Sequence, residues 1–153
     1  MLGAFLWHMS TILITGGSGL IGSALTKALL KEGHSVRWLS RAAGDRNRVM
    51  AFAWHVDKGT MDPSALDGVD HIIHLAGAGI ADKRWTDARK KELEQSRAES
   101  ARLLLRTAKA QSFAPKSFIM GSPAKVVREV SAKDLEWIAK SWRTYVETMN
   151  GYR

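Results

Sequence analysis

Residues 11–22, Thr-Ile-Leu-Ile-Thr-Gly-Gly-Ser-Gly-Leu-Ile-Gly, decide the reading of this chain. The opening run is short, apolar and β-branched, the composition of a strand buried on both faces. Gly16, Gly19 and Gly22 follow at three-residue spacing, with Gly17 in addition. From Leu20 to Lys31 the apolar positions Leu20, Ile21, Ala24, Leu25, Ala28 and Leu29 recur at helical spacing. Strand, glycine loop and helix in that order form the context that gives a dinucleotide fingerprint its meaning. In it Gly16 makes the tight turn, Gly19 lets backbone approach a pyrophosphate, and Gly22 lets the helix pack closely. Ser18, Leu20 and Ile21 complete the loop, and the helix N-terminus offers unpaired N–H groups and partial positive charge to phosphates. A glycine-rich turn that binds nothing is the alternative.

Working outward, Gly33 stands where a helix C-cap belongs, and Ser35-Val36-Arg37-Trp38-Leu39 reads as a second strand. The residue at its end selects the cofactor: an acid suits the ribose 2′-OH of NAD, a base the 2′-phosphate of NADP. Here Ser40 and Arg41 follow, and the nearest acid, Asp45, lies beyond Gly44. Arg41 stacking on adenine and pairing with the phosphate, with Ser40 hydrogen-bonding it, predicts NADP over NAD. A plain surface arginine is the other reading.

Residues 42–62 read as irregular, apart from a candidate short strand at 52–54, and Pro63 opens a brief helical turn. His71-Ile72-Ile73-His74-Leu75 is another buried strand. Its two histidines lie three apart, point to opposite faces and have no third ligand at metal spacing, so no metal site is expected. Leu75, Ala76 and Gly77 come where the third parallel strand opens onto a cofactor, small enough to lie against ribose and adenine. A long helix is expected from about Thr86, its N-cap, to Gln111, with Trp85, Leu93, Leu103 and Leu104 as its apolar stripe. Ser96 and Ser100 are points of close approach. Residues 115–120 read as the fourth parallel strand.

Composition narrows the class. The 153 residues suit one modest domain and are 45% hydrophobic and 25% charged, which is globular. There is no cysteine, excluding disulfides, thiolate metal sites and cysteine nucleophiles. No apolar run approaches the roughly 20 residues of a membrane span. Met1–His8 is a poor signal peptide, and a start at Met9 would make the first eight residues an extension. Residues 1–9 are read as an N-terminal extension ahead of the domain, and a cytoplasmic location is expected. The net charge of +8 is uneven: seven basic against six acidic residues over 1–80, sixteen against nine over 81–153. Acids interleave with the bases along helices, without aromatic–basic alternation, so a solvated helix face rather than nucleic-acid binding is expected.

Thr15 through Gly22 resembles the extended or atypical short-chain dehydrogenase/reductases. With Leu39-Ser40-Arg41, His74-Leu75-Ala76-Gly77-Ala78, Ala81-Asp82-Lys83-Arg84-Trp85 and Glu92 through Ser96-Arg97, the chain resembles the NAD-dependent epimerase/dehydratase proteins over about residues 10–119. The resemblance implies NADP lying along the glycine loop, Ser40-Arg41 and Leu75-Ala76, with Glu92 and Arg97 facing it. In the wider superfamily that this implies, a serine ends the fourth strand, where Ser122 stands, and a Tyr-x-x-x-Lys pair supplies the proton, a pair the atypical branch commonly lacks. No such pair exists: four residues after Tyr145 comes Met149. Residues 120–153 instead resemble the C-terminal turn and helix of γ-carbonic-anhydrase-like β-helix proteins, without their hexapeptide repeats or zinc-binding histidines. A capping box at Ser131 and an apolar face from Leu135 to Val146 suggest a terminal helix suited to self-association.

The expected fold is α/β, a Rossmann-type parallel sheet of order 3-2-1-4 with helices on both faces, over residues 10–120, followed by a turn and helix at 121–153. Three functions stay open: an NADP-dependent oxidoreductase or epimerase, an NADP-binding module without turnover, and an assembly element using its tail.

Overall fold

The computed structural model describes residues 9–79 and 83–120. The chain alternates β1 (Thr11–Thr15), α1 (Leu20–Lys31), β2 (Ser35–Ser40), β3 (Gly44–Asp45), β4 (Met50–His55), β5 (Thr60–Met61), a 3-10 turn (Pro63–Leu66), β6 (His71–His74), α2 (Asp87–Ala110) and β7 (Ser117–Met120). The sheet runs β3-β4-β2-β1-β6-β7. β4, β2, β1, β6 and β7 are mutually parallel, while β3 and β5 pair antiparallel with β4.

Counted along the chain, the parallel strands stand in the order 3-2-1-4-5. The expected 3-2-1-4 arrangement is therefore present, with a different membership. Its third strand is β4, marked in sequence only as a candidate at 52–54, and β6 and β7 become the fourth and fifth. Ala51 and Ala53 dilute the strand signal in Met50–His55, and parallel pairing from Arg37↔Met50 to Ser40↔Ala53 overrides that weakness.

β1 is the central strand because it can be buried on both sides. Leu13 joins Leu39 and Ile72 under Leu103, Leu104 and Ala108 of α2. Ile12 and Ile14 join Val36 and Ile73 under Leu25, Leu29 and Leu30 of α1. Helices thus cover both faces, as the uninterrupted apolar strand requires. α1 ends at a left-handed Gly33 (φ +86), whose N–H reaches the Leu30 carbonyl at 3.2 Å while that of His34 reaches Leu29 at 3.0 Å. This closes the last turn and aims the chain into β2. α2 starts where Thr86 Oγ1 accepts the Arg89 N–H at 3.2 Å. No helix among the described residues is long and apolar enough to cross a membrane.

A buried polar chain ties α2 to the sheet. Thr15 Oγ1 accepts the N–H groups of Leu75 (3.1 Å) and Ala76 (3.0 Å) and lies 2.8 Å from His74 Nδ1. With its lone pairs so used, the hydroxyl donates to Nδ1, which assigns the His74 proton to Nε2. Nε2 in turn donates to Ser100 Oγ at 3.1 Å, and Ser100 donates to the Arg97 carbonyl at 3.0 Å. Every member is satisfied only while His74 is neutral. Burial, with a smaller contribution from the Arg97 charge, pushes its pKa down to about 4. His71 is separately accounted for by Ser117 Oγ at 2.8 Å from its Nδ1.

Because the folded-state pKa of His74 lies below its ordinary 6.5, the unfolded chain binds the proton first as pH falls. Its contribution to stability is complete above about pH 6.5 and declines toward pH 4, by about 3 kcal/mol in all. Denaturant unfolding across that window should show this slope in the unaltered chain and a flatter one in His74→Gln. Equal slopes would contradict the buried neutral imidazole.

Candidate functional site

The registers Thr15↔Leu39 and Thr15↔His74 bring the carboxyl ends of β1, β2 and β6 level with one another. Three loops leave the sheet at that edge: Gly16–Gly19, Ser40–Arg41 onward, and Leu75–Gly79. The chain crosses from one side of β1 to the other between β4 and β6, so this edge is the switch point where parallel sheets open a crevice.

Gly16 turns the chain with φ +70, closed by the Gly19 N–H on the Gly16 carbonyl at 3.0 Å. A side chain there would press on Leu75 and on the Ala76 nitrogen at 3.1 Å, so the loop lies directly against the β6 exit. A Cβ on Gly22 would overlap the Gly16 carbonyl, which places the first turn of α1 on top of the loop. Gly17 is buried against the Trp38 indole. Gly19 is the N-cap and supplies no side-chain acceptor, and the first turn contains no acid. The amides of Leu20, Ile21 and Gly22 consequently have no acceptor within the helix. Ser18 and Gly19 are exposed, and Leu20 and Ile21 are 90% and 67% exposed, unusually bare for large apolar residues. Exposed backbone donors at the start of α1, beside glycines packed too closely for side chains, are a donor set whose chemistry suits a diphosphate.

Ser40 ends β2 half-buried, and Arg41 is exposed just beyond it. Among the described residues no acid pairs with Arg41. On the other side of β1, the N–H groups of Leu75 and Ala76 are held by Thr15, so this wall is set from below.

α2 grips the rest of that wall. Ser96 Oγ accepts the Ala78 N–H at 3.0 Å, and Arg97 donates to the Ala78 carbonyl at 3.2 Å and to Leu93 at 3.1 Å. A Cβ on Gly77 would come 3.0 Å from the Arg97 side chain, so a larger residue there would press on it. The buried Arg89 donates to the Gly79 carbonyl and pairs with Glu92 at 2.7 Å. That hydrogen bond holds the Glu92 carboxyl below its ordinary range, although the side chain is half exposed. Arg97 is thus brought to the Leu75–Gly79 loop, whereas Glu92 is directed to Arg89 on its flank. Ser122, the capping box at Ser131, the terminal helix, and Ala81 and Asp82 lie outside the described residues.

Motif reading includes Thr15 and His74 and marks Ser100 as a point of close approach, but it assigns these residues no polar role and gives Trp38 and Arg89 none at this edge. Thr15, His74 and Ser100 form its buried relay, Trp38 supports the glycine loop, and Arg89 anchors Gly79. Polar groups inside an apolar strand or on the buried side of a helix must find partners, and Thr15 and His74 in otherwise aliphatic strands carried that signal.

The model of the NAD dependent epimerase/dehydratase family matches residues 12–145. The match runs from Ile12 in β1 through β7 and continues past residue 119, into the segment likened above to β-helix tails. Epimerase family protein Mb2239 of Mycobacterium bovis is 41% identical over 88 residues, 58% of this chain and 29% of that protein. Among solved structures, human epimerase family protein SDR39U1 (isoform 2) with NADPH superposes with a TM-score of 0.59 at 24% identity, over 86% of this chain and 48% of that one. WbmG of Bordetella bronchiseptica, in complex with NAD and UDP, gives 0.56 at 20% identity, over 91% and 49%. At those identities the two structures establish the fold. The chain spans less than a third of the length of the curated relative and about half of each structural one. It belongs to the NAD dependent epimerase/dehydratase family and carries that family's nicotinamide-dinucleotide-binding fold.

Proposed function

We propose that this chain is the cofactor-binding half of an NADP-preferring oxidoreductase or epimerase-like protein. The observation that carries the reading is the uncapped start of α1 at Gly19, aimed into an exposed loop whose glycines leave only backbone for a ligand to meet. In this reading the pyrophosphate rests on Gly17, Ser18, Gly19, Leu20, Ile21 and Gly22, with Gly16 shaping the turn. Ser40 and Arg41 take the adenosine 2′-phosphate, since a planar guanidinium matches its oxygens and no acid stands there to favour a bare ribose. Leu75, Ala76 and Gly77 form the opposite wall, Arg97 holds that wall through Ala78, and Glu92 acts through Arg89. When bound, the dinucleotide supplies hydride exchange at nicotinamide C4.

For the chain itself, the absence of Tyr-x-x-x-Lys favours binding without turnover, because no pair is present to hold and deliver the carbonyl proton. Ser122 is the one residue the family pattern offers for polarising a carbonyl, and alone it does not replace that pair.

Titration of tryptophan fluorescence should show saturable binding of NADPH and weaker binding of NADH. Arg41→Asp should lower the NADPH-to-NADH preference by about tenfold or more, a change of at least about 1.4 kcal/mol. Full retention of NADPH affinity in that variant would refute the 2′-phosphate assignment. Incubation with NADPH and carbonyl or sugar-nucleotide substrates should give no sustained cofactor oxidation; steady turnover would require a proton donor other than those named.

A further inference from the structure

The additional glycine at position 17 has no role in a three-glycine fingerprint, yet it is among the most sterically constrained residues in the chain. A Cβ at Gly17 would overlap three atoms of the Trp38 indole, Cδ1, Nε1 and Cε2. Trp38 belongs to β2, in register with Ile14 of β1, and lies beside the α1-side core. Its ring is not at liberty to move aside. Nε1 donates to the buried Thr26 Oγ1 at 3.0 Å, and Thr26 donates to the Gly22 carbonyl at 2.7 Å. Gly22 in turn meets the Gly16 carbonyl. The indole therefore touches the loop at Gly17 and is wired through Thr26 to the first turn of α1 at Gly22. It spans both ends of the segment whose amides face the opening.

We infer that Trp38 is a positioning residue for the dinucleotide site: its indole, tethered by Thr26, sets the height of the glycine loop relative to the α1 N-terminus. This rests on the proposed function, since it concerns the same site. Physically, the free amides of the glycine loop and of Leu20–Gly22 are useful to a diphosphate only if their donors converge, and a misplacement of about 1 Å in a geometrically tuned site can cost about a hundredfold. A side chain at position 17 has nowhere to go while the tether holds. With a smaller residue at 38, it does. The glycine and the tryptophan form one unit, although 21 positions separate them in sequence.

The test uses the full chain, with NADPH affinity measured by calorimetry and amide hydrogen exchange measured without ligand. Gly17→Ala should weaken NADPH by about tenfold or more. The same Gly17→Ala change made in a Trp38→Val background should cost under about threefold, because the space is then open. Thr26→Val should weaken binding several-fold and speed exchange of the Gly17–Gly22 amides, while Thr26→Ser, which keeps the hydroxyl, should do neither. An equal penalty for Gly17→Ala in both backgrounds, or wild-type behaviour of Thr26→Val, would overturn the inference. If the unaltered chain binds neither NADPH nor NADH, the proposed function falls. The exchange measurement then decides the inference alone: faster exchange confined to Gly17–Gly22 in Thr26→Val supports it, and unchanged exchange overturns it.

Discussion

One oxygen atom organises this molecule. Thr15 Oγ1 lies at the end of the central strand with no exposure to solvent, accepts the N–H groups of Leu75 and Ala76, and donates to His74. β1 and β6 are thereby joined beyond the last ladder pair, at the edge where the loops diverge. Through His74 and Ser100 the same oxygen reaches α2. A buried hydroxyl with all its capacity used stabilises modestly, about 1 kcal/mol per bond, but a missing partner would leave several buried polar groups unsatisfied at once. The relay therefore specifies geometry more than it adds stability. It determines where the Leu75–Gly77 wall stands relative to the glycine loop.

From that constraint the rest of the edge follows. Gly16 turns directly after Thr15 and packs on Leu75 and Ala76, so loop and wall are two sides of one contact. Gly22 closes on Gly16 and the Trp38 indole packs on Gly17, so this short backbone segment is tightly held on its inner side and exposed at Ser18 and Gly19. The exposed side carries the uncapped amides of α1 and two bare aliphatic side chains, Leu20 and Ile21. Four glycines in seven residues cost conformational entropy that an ordinary turn would avoid. That expense is intelligible where backbone itself must meet a ligand. α2 completes the arrangement by using Arg89, Ser96 and Arg97 to hold consecutive groups of the Gly77–Gly79 loop, so the helix acts as a brace for the wall.

Much of this was legible in the residues, for reasons that differ from element to element. β1 and α1 declare themselves because period and turn chemistry agree: an unbroken β-branched run, glycines at fixed offsets, then helical spacing, with Gly33 closing the helix. Thr86 as N-cap was equally plain. β4 was only half visible, since its alanines carry little strand signal and its place depends on pairing with β2. The direction taken by Glu92 was not legible: spacing put it near Arg97 on the helix, but its partner Arg89 lies three residues earlier and is itself buried by the Gly79 loop. The tryptophan beneath the glycines escaped for a further reason. Contacts between neighbouring strands and a loop are long-range, and no local pattern marks residue 38 as the floor under residue 17.

The central claim is that amides at the start of α1 converge on a diphosphate. Its most direct test is a ¹⁵N-resolved NMR titration of the full chain with ADP-ribose, which carries the pyrophosphate but neither nicotinamide nor 2′-phosphate. The account predicts saturable shifts largest at Gly17 through Gly22, with the bend at Asn47–Arg48, which joins β3 to β4 at the amino end of β4, unmoved. Saturation with those glycine-loop amides unshifted, or no saturable change anywhere, would contradict it.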